Sequence, residues 1–296
     1  MASQPEAYPR FSFGKTVSDM FGVIGRNFLL LCGLALLIYG VPMALFMGMF
    51  FDGLTSVFPD LTSQAGQSFN FNWLDMFGPA VLVSALLATI FAIYAQCTMI
   101  WAALGDLQNE PPTFMGSIAG GARFFFPVLG ITLVYYIMLG GIIGLPVLLI
   151  FSIGFAGGLV ALLILAIIPA ALFVLVAFLV AVPAAIAERC GVFNALSRSW
   201  ALTSGHRWKL FAMVIIYSVV SMMISSAISG AMMPFTMSAS VDAGSPFAGM
   251  MPLMVIQTFL GALMLVITYP ALTATYFNLR RSKEGFGSDD IADIFE

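Results

Sequence analysis

Five long stretches of this sequence contain no charged residue. They cover residues 27–51, 76–105, 124–187, 210–241 and 243–279. The hydrocarbon core of a bilayer is ~30 Å thick, and about 20 helical residues cross it. Four stretches therefore hold one span each, whereas 124–187 is long enough for two spans. A glycine-rich turn at 152–158 is expected to separate those two spans.

The composition supports a membrane location. Charged residues make up 8% and hydrophobic residues 61% of the chain, with a mean hydropathy of +1.03. A soluble domain carries about 25% charged and about 45–50% apolar residues. A soluble enzyme and a disordered protein are thereby excluded. The net charge of -3, without a basic block, also excludes a nucleic-acid binder.

The apolar runs predict helices rather than the strands of a barrel, because they lack an alternating polar pattern. We predict an all-α membrane protein that forms a single integral membrane domain over 1–296. Residues 1–27 form a cytoplasmic amphipathic N-terminus, 28–276 the bundle, and 277–296 a cytoplasmic tail. The six transmembrane helices are expected near 28–50, 79–101, 127–151, 159–182, 210–233 and 250–276.

The basic residues predict the orientation of the bundle. With six spans, all eleven Lys and Arg residues fall on the side of both termini. The other side carries only acidic charges. Because cytoplasmic loops are enriched in Lys and Arg, both termini are expected in the cytoplasm. The predicted location is the bacterial inner (plasma) membrane, which the chain crosses several times.

Three amphipathic segments precede spans: 11–28, 112–126 and 191–208. Apolar residues recur in them at helical spacing, most clearly in the first and third. We expect three interfacial helices on the cytoplasmic side, and the order suggests three tandem units of one interfacial helix and two spans. Basic side chains at this level attract anionic headgroups. The expected lipid-headgroup residues are Lys15, Arg26, Arg198, Arg207, Trp208, Lys209, Arg280 and Arg281.

Two basic segments carry a resemblance to a known family. They are ALSRSWALTSGHRWK at 195–209 and TATYFNLRRSKEGF at 273–286, and Phe11–Gly14 with Arg26–Phe28 also fits. The pattern resembles the bacterial inner-membrane family named after the membrane domain of glycerophosphoryl diester phosphodiesterase. The resemblance implies a six-span membrane protein, which in some relatives is fused to a catalytic domain. Such a catalytic part needs at least two histidines, whereas His206 is the only one here.

The sequence contains no recognisable catalytic or metal-binding motif, so we expect no enzyme activity, no metal site and no cofactor. The predicted spans carry no ionisable Asp, Glu, Lys, Arg or His, which disfavours ion-coupled transport. Polar residues within the spans form a possible intramembrane polar cluster, in which they either join helices or line a lumen. The cluster comprises Gln96, Gln257, Tyr135 and Tyr217.

Two functions follow as hypotheses. The first is a non-enzymatic membrane protein, either a scaffold or a factor in lipid or envelope homeostasis, that contacts the anionic inner leaflet. The alternative is a transporter or lipid-translocating protein with a groove near the third and fourth spans. Expected partners are membrane lipids and, through the C-terminal tail, a cytoplasmic protein, but no nucleic acid. The oligomeric state is left open.

Overall fold

The computed structural model describes residues 11–57, 79–153, 157–242 and 246–285. These residues form helices and no strand. The helices are α1 (Phe13–Leu34), which continues through a π-helical segment (Ala35–Gly40) into α2 (Val41–Val57), then α3 (Pro79–Leu107), α4 (Phe114–Ala122), α5 (Phe125–Ile153), α6 (Gly157–Ala177), α7 (Ala181–Ala187), α8 (Val192–Thr203), α9 (Arg207–Asp242) and α10 (Pro246–Glu284).

Six of these helical segments are long and apolar enough to cross a membrane, which confirms the predicted all-α membrane fold. They are Phe13–Met49, Val81–Leu107, Phe125–Gly144, Leu165–Ala187, Arg207–Ser238 and Pro252–Glu284. Several extend beyond the predicted spans. The last continues through Glu284, so the first part of the predicted tail, 277–284, belongs to the helix.

Short helices lie where the amphipathic segments predict them, at α4 and α8. The first amphipathic segment differs, because it is continuous with the first span in α1. A local break at Asn27 (φ -122°, ψ 23°) marks the junction. The Asn27 side-chain amide donates to Val23 O at 3.2 Å and to Asp106 Oδ1 at 2.7 Å. A side chain bonded both to its own helix and to α3 holds this break in place.

The fourth span is interrupted near its basic end, between α6 and α7. At the break, Ala177 O accepts hydrogen bonds from Ser199 Oγ at 2.9 Å and from Thr203 Oγ1 at 3.2 Å. Both hydroxyls come from α8 and are buried. The short helix α8 thus satisfies a backbone carbonyl that a continuous helix would use internally.

Helix α10 occupies the centre of the bundle. It contacts α1, α3 and α9, and its Tyr276 and Leu279 are fully buried. By contrast, α9 lies at the periphery, where an apolar 18-residue stretch within Arg207–Ser238 has no buried residue. Three predicted features lie outside the described residues: the rest of the C-terminal tail (286–296), residues 1–10, and the middle of the 152–158 turn.

Candidate functional site

The described basic residues gather at one end of the bundle, which we call the basic end. There the ends of helices α3, α7 and α10 meet the short helices. Arg26 donates to Asp106, with its Nη2 2.5 Å from Oδ2. The two residues are 80 positions apart, so this ion pair ties the first amphipathic segment to the end of the second span.

Arg198 of α8 joins two carboxylates at the basic end. Its Nε donates to Glu188 Oε1 at 2.8 Å, and its Nη2 donates to Glu284. Tyr276 donates to the same Glu188 oxygen at 2.8 Å, and Arg280 Nε donates to Glu284 Oε2 at 3.0 Å. Desolvation lowers the pKa of Arg198, but the bonds to both carboxylates outweigh it and raise that pKa. This cluster is the Arg198 network.

Two further side chains of the 273–286 segment make hydrogen bonds at the basic end. Lys283 Nζ donates to Ala201 O at 2.5 Å and to Ser204 Oγ at 2.6 Å, which joins the tail motif to the end of α8. Asn278 donates to Asp19 Oδ2 at 2.9 Å, which joins α10 to α1. The residues that carry the resemblance therefore make the contacts that hold the basic end together.

Large apolar side chains are exposed around this end. Trp208 is 84% exposed, although an exposed tryptophan is costly in water. Aromatic residues are enriched at membrane interfaces because their rings suit the headgroup level. We call the following set the interface belt: Phe13, Phe21, Phe28, Met115, Phe126, Phe193, Trp200 and Trp208.

The expected headgroup residues divide into three groups. The first is paired with carboxylates: Arg198 and Arg280 belong to the Arg198 network, and Arg26 is paired with Asp106, although its side chain is 60% exposed. The second has no carboxylate partner among the described residues: Lys15 is exposed, and Lys209 makes a 3.4 Å bond to Phe11 O. The third comprises residues beside aromatic rings: Arg207, Trp208 and Arg281.

Arg207 lies over two rings, 4.0 Å from the Trp200 centroid and 4.8 Å from that of Phe173. The adjacent His206 packs its ring edge-on against Phe11, with centroids 5.5 Å apart. Desolvation, followed by the charges of Lys209 and Lys283, lowers the pKa of His206. The lowered pKa favours the uncharged imidazole of His206, and no carboxylate lies among its described contacts.

A cavity of about 410 Å³ opens at the basic end between α3, α4 and α7. Its lining includes Trp101, Glu110, Thr113 and Arg189. Arg189 adopts a left-handed backbone conformation (φ 49°), which costs a non-glycine residue about 1–2 kcal/mol. Glu188 lies in the Arg198 network while Arg189 lines this cavity. Sequence reasoning gave no role to Arg189, which is exposed and has no ion-pair partner among the described residues.

A second feature lies at membrane depth. Two cavities of about 300 and 250 Å³ share Gln96, Thr132 and Tyr136, and we call them together the lateral groove. Its walls come from α3, α5 and the α6–α7 break, with Tyr269 of α10 on one side. Gln96 lies ten residues from Asp106, or about 15 Å along α3, which is half the bilayer core.

The four predicted polar residues have different partners. Gln96 and Tyr135 line the lateral groove. Gln257 instead donates to Ser229 Oγ at 2.7 Å, and Tyr217 lies 2.5 Å from Thr268 Oγ1, so both join α9 to α10. The sequence places all four residues within spans. Only the packing of the helices decides which of them line the groove and which join α9 to α10.

Sequence reasoning missed the carboxylates of the basic end. Asp106, Glu188 and Glu284 each end a second span of a predicted unit and each accepts from an arginine. Asp106 and Glu188 immediately follow apolar runs and have arginines on the same side, a signal that could have identified them, whereas Glu284 follows the basic segment 280–283. Ser199 and Thr203 carried no such signal, because their role depends on the break in the fourth span.

Comparisons with protein-family models, with curated proteins and with solved structures find no match. The family resemblance of 195–209 and 273–286 therefore stays a prediction. The fold is that of an integral membrane protein with six apolar helices. Its two distinctive features are the basic end and the lateral groove.

Proposed function

We propose that this protein is a non-enzymatic integral membrane protein that contacts anionic lipid headgroups through its basic end, as a scaffold or a factor in lipid or envelope homeostasis. The observation that carries the proposal is the interface belt. Its exposed rings are close in the sequence to cations that have no ion-pair partner among the described residues: Lys15 is two residues from Phe13, and Arg123 is three residues from Phe126. Rings and cations together suit the headgroup layer of an anionic leaflet.

The basic residues differ in whether they are free to contact lipid. Arg198 is paired with two carboxylates, so substitution of Arg198 would test the stability of the fold rather than lipid contact. Lys15, Arg123 and Lys209 are exposed, and no salt bridge holds them among the described residues. Each Lys or Arg near an anionic surface contributes about 1 kcal/mol. These three residues are therefore the better test of the proposal.

The test compares lipids retained by the purified full chain and by the variant Lys15→Gln/Arg123→Gln/Lys209→Gln. We expect the variant to retain a smaller fraction of anionic lipid when both are extracted with a mild detergent. The matched control, Lys15→Arg/Arg123→Lys/Lys209→Arg, keeps the charges and should retain the original fraction. An unchanged anionic fraction in the glutamine variant would refute the proposal.

The lateral groove favours a second candidate function, lipid translocation or transport. A polar path beside α5 and α6 lowers the cost of moving a polar group through the bilayer core. The test is flipping of a fluorescent lipid in proteoliposomes, compared between the parent and Gln96→Leu/Tyr136→Phe. Slower flipping supports translocation, whereas equal rates exclude it. Gln257→Leu, which removes an amide outside the groove, is the control.

A further inference from the structure

The lateral groove presents polar groups that the protein itself leaves unsatisfied. Within the described part of the chain, the Gln96 amide and the hydroxyls of Tyr135 and Tyr136 have no hydrogen-bond partner. Tyr136 is 57% exposed at this depth. An amide or hydroxyl that enters hydrocarbon without a partner costs roughly 2–7 kcal/mol. Lipid tails cannot provide that partner, whereas water or a lipid that carries hydroxyl or ester groups can.

The polar groups of the groove lie at one level. Gln96 is ten residues from Asp106 at the basic end of α3, and Tyr135 is ten residues from Phe125 at the start of α5. Both positions are about 15 Å from that end at 1.5 Å per residue. The amide and the phenols therefore lie at a similar distance from the basic end, and Leu196 of the short helix α8 also lines the groove.

The wall of the groove contains the irregular backbone between α6 and α7. Phe178, Leu179 and Val182 line the cavity at this break. Non-helical backbone at membrane depth is tolerated where it is buried in protein or lines a cavity. Here the Ala177 carbonyl is already satisfied by Ser199 and Thr203, so the break leaves the groove open without exposing that acceptor to lipid.

The lining of the groove contains no charged side chain among the described residues. A phosphate placed beside Gln96 and Tyr136 would lack the cation that a buried charge needs. Amides and hydroxyls instead exchange hydrogen bonds with uncharged hydroxyl and carbonyl groups. The other lining residues are mostly apolar, including Ile93, Ile131 and Leu175, and they suit acyl chains.

We propose that the lateral groove binds a neutral lipid whose uncharged hydroxyl or ester group hydrogen-bonds to Gln96, Tyr135 and Tyr136. This proposal names the ligand class of the second candidate function. Only the movement of the lipid across the membrane depends on that candidate. Binding itself does not require translocation. Diacylglycerol is the chemical probe, because it carries one free hydroxyl and two esters on two acyl chains.

The test is native mass spectrometry of the full chain in detergent, titrated with diacylglycerol or with phosphatidic acid of identical acyl chains. The two probes differ only by the phosphate. We expect diacylglycerol to bind more tightly, and Gln96→Leu/Tyr136→Phe to weaken it by about tenfold, the effect of losing hydrogen bonds worth 1.4 kcal/mol. Gln257→Leu should bind diacylglycerol as the parent does.

A diacylglycerol with a photoreactive acyl chain provides an independent measurement. Cross-linked peptides should come from α3, α5 and the α6–α7 break. Tighter binding of phosphatidic acid, or unchanged diacylglycerol binding in Gln96→Leu/Tyr136→Phe, would overturn the proposal. Binding without flipping in proteoliposomes would retain it and reject only the translocation candidate. Circular dichroism of each variant checks that it is folded.

Discussion

Tyr276 donates a hydrogen bond of 2.8 Å to Glu188 and so joins the last membrane helix to the end of the fourth span. The same Glu188 oxygen accepts from Arg198 at 2.8 Å. One carboxylate thus connects α7, α8 and α10. Its loss separates three elements that are far apart in the sequence.

We expect Glu188→Gln to lower the free energy of unfolding by ~1–2 kcal/mol, since the pair is partly exposed to solvent and its charge–charge attraction is screened. Tyr276→Phe removes only the hydroxyl and should cost less. Thermal unfolding in detergent, followed by circular dichroism, measures both. An unchanged transition in Glu188→Gln would show that the Arg198 network does not stabilise the fold.

The double variant Ser199→Ala/Thr203→Val should be less stable than the parent. Both hydroxyls donate to Ala177 O, which is fully buried, so the carbonyl is left without a partner. An unsatisfied buried group costs about 1–3 kcal/mol. Either single variant keeps one donor and should lose less. Thermal unfolding measures the loss of stability in each variant. If the losses of the two single variants add up to that of the double variant, the two hydroxyls do not share one acceptor.

Glycines at the contact of α4 with α3 should not tolerate a side chain. A Cβ at Gly121 would lie 2.7 Å from the Thr98 backbone nitrogen, which cannot move aside. We expect Gly121→Ala to destabilise by about 1–3 kcal/mol. Gly140→Ala is the matched control, because no atom lies within 4 Å of that Cβ.

In the exposed helix position of Gly140, alanine should stabilise by about 0.5–1 kcal/mol through helix propensity. The two substitutions are chemically identical but should shift the unfolding temperature in opposite directions. An unfolding temperature that does not fall in Gly121→Ala would show that the close α3–α4 approach is absent in the membrane.

Acidification should destabilise the basic end through His206. Its pKa is lowered in the fold, so the unfolded chain, with a pKa of about 6.5, binds the proton more readily. Stability is therefore retained above pH ~6.5 and falls as the pH drops from there towards the folded pKa. Unfolding temperatures across this range should fall more steeply for the parent than for His206→Gln, which does not titrate. Parallel curves would contradict the assignment.

The sequence alone predicts the six helices because charge is excluded from spans, and the apolar residues at helical spacing in 112–126 and 191–208 predict the short helices α4 and α8. It does not predict the partner of Arg198. That cation is equally suited to a headgroup or a carboxylate, and only the packing of α7 and α10 decides. The sequence likewise does not distinguish Gln96 from Gln257, since both are amides within apolar spans. Which of them lines the groove depends on the helix packed beside it.

The peripheral position of α9 bears on how the chain enters the bilayer during synthesis. An apolar stretch of this helix has no fully buried residue, because one face packs against α10 and lipid covers the other. The lipid-facing side gains nothing from neighbouring helices, so the segment has to partition into the membrane largely on its own mean hydropathy of 2.1. A single charged substitution in α9 should therefore lower the efficiency of membrane insertion before folding begins.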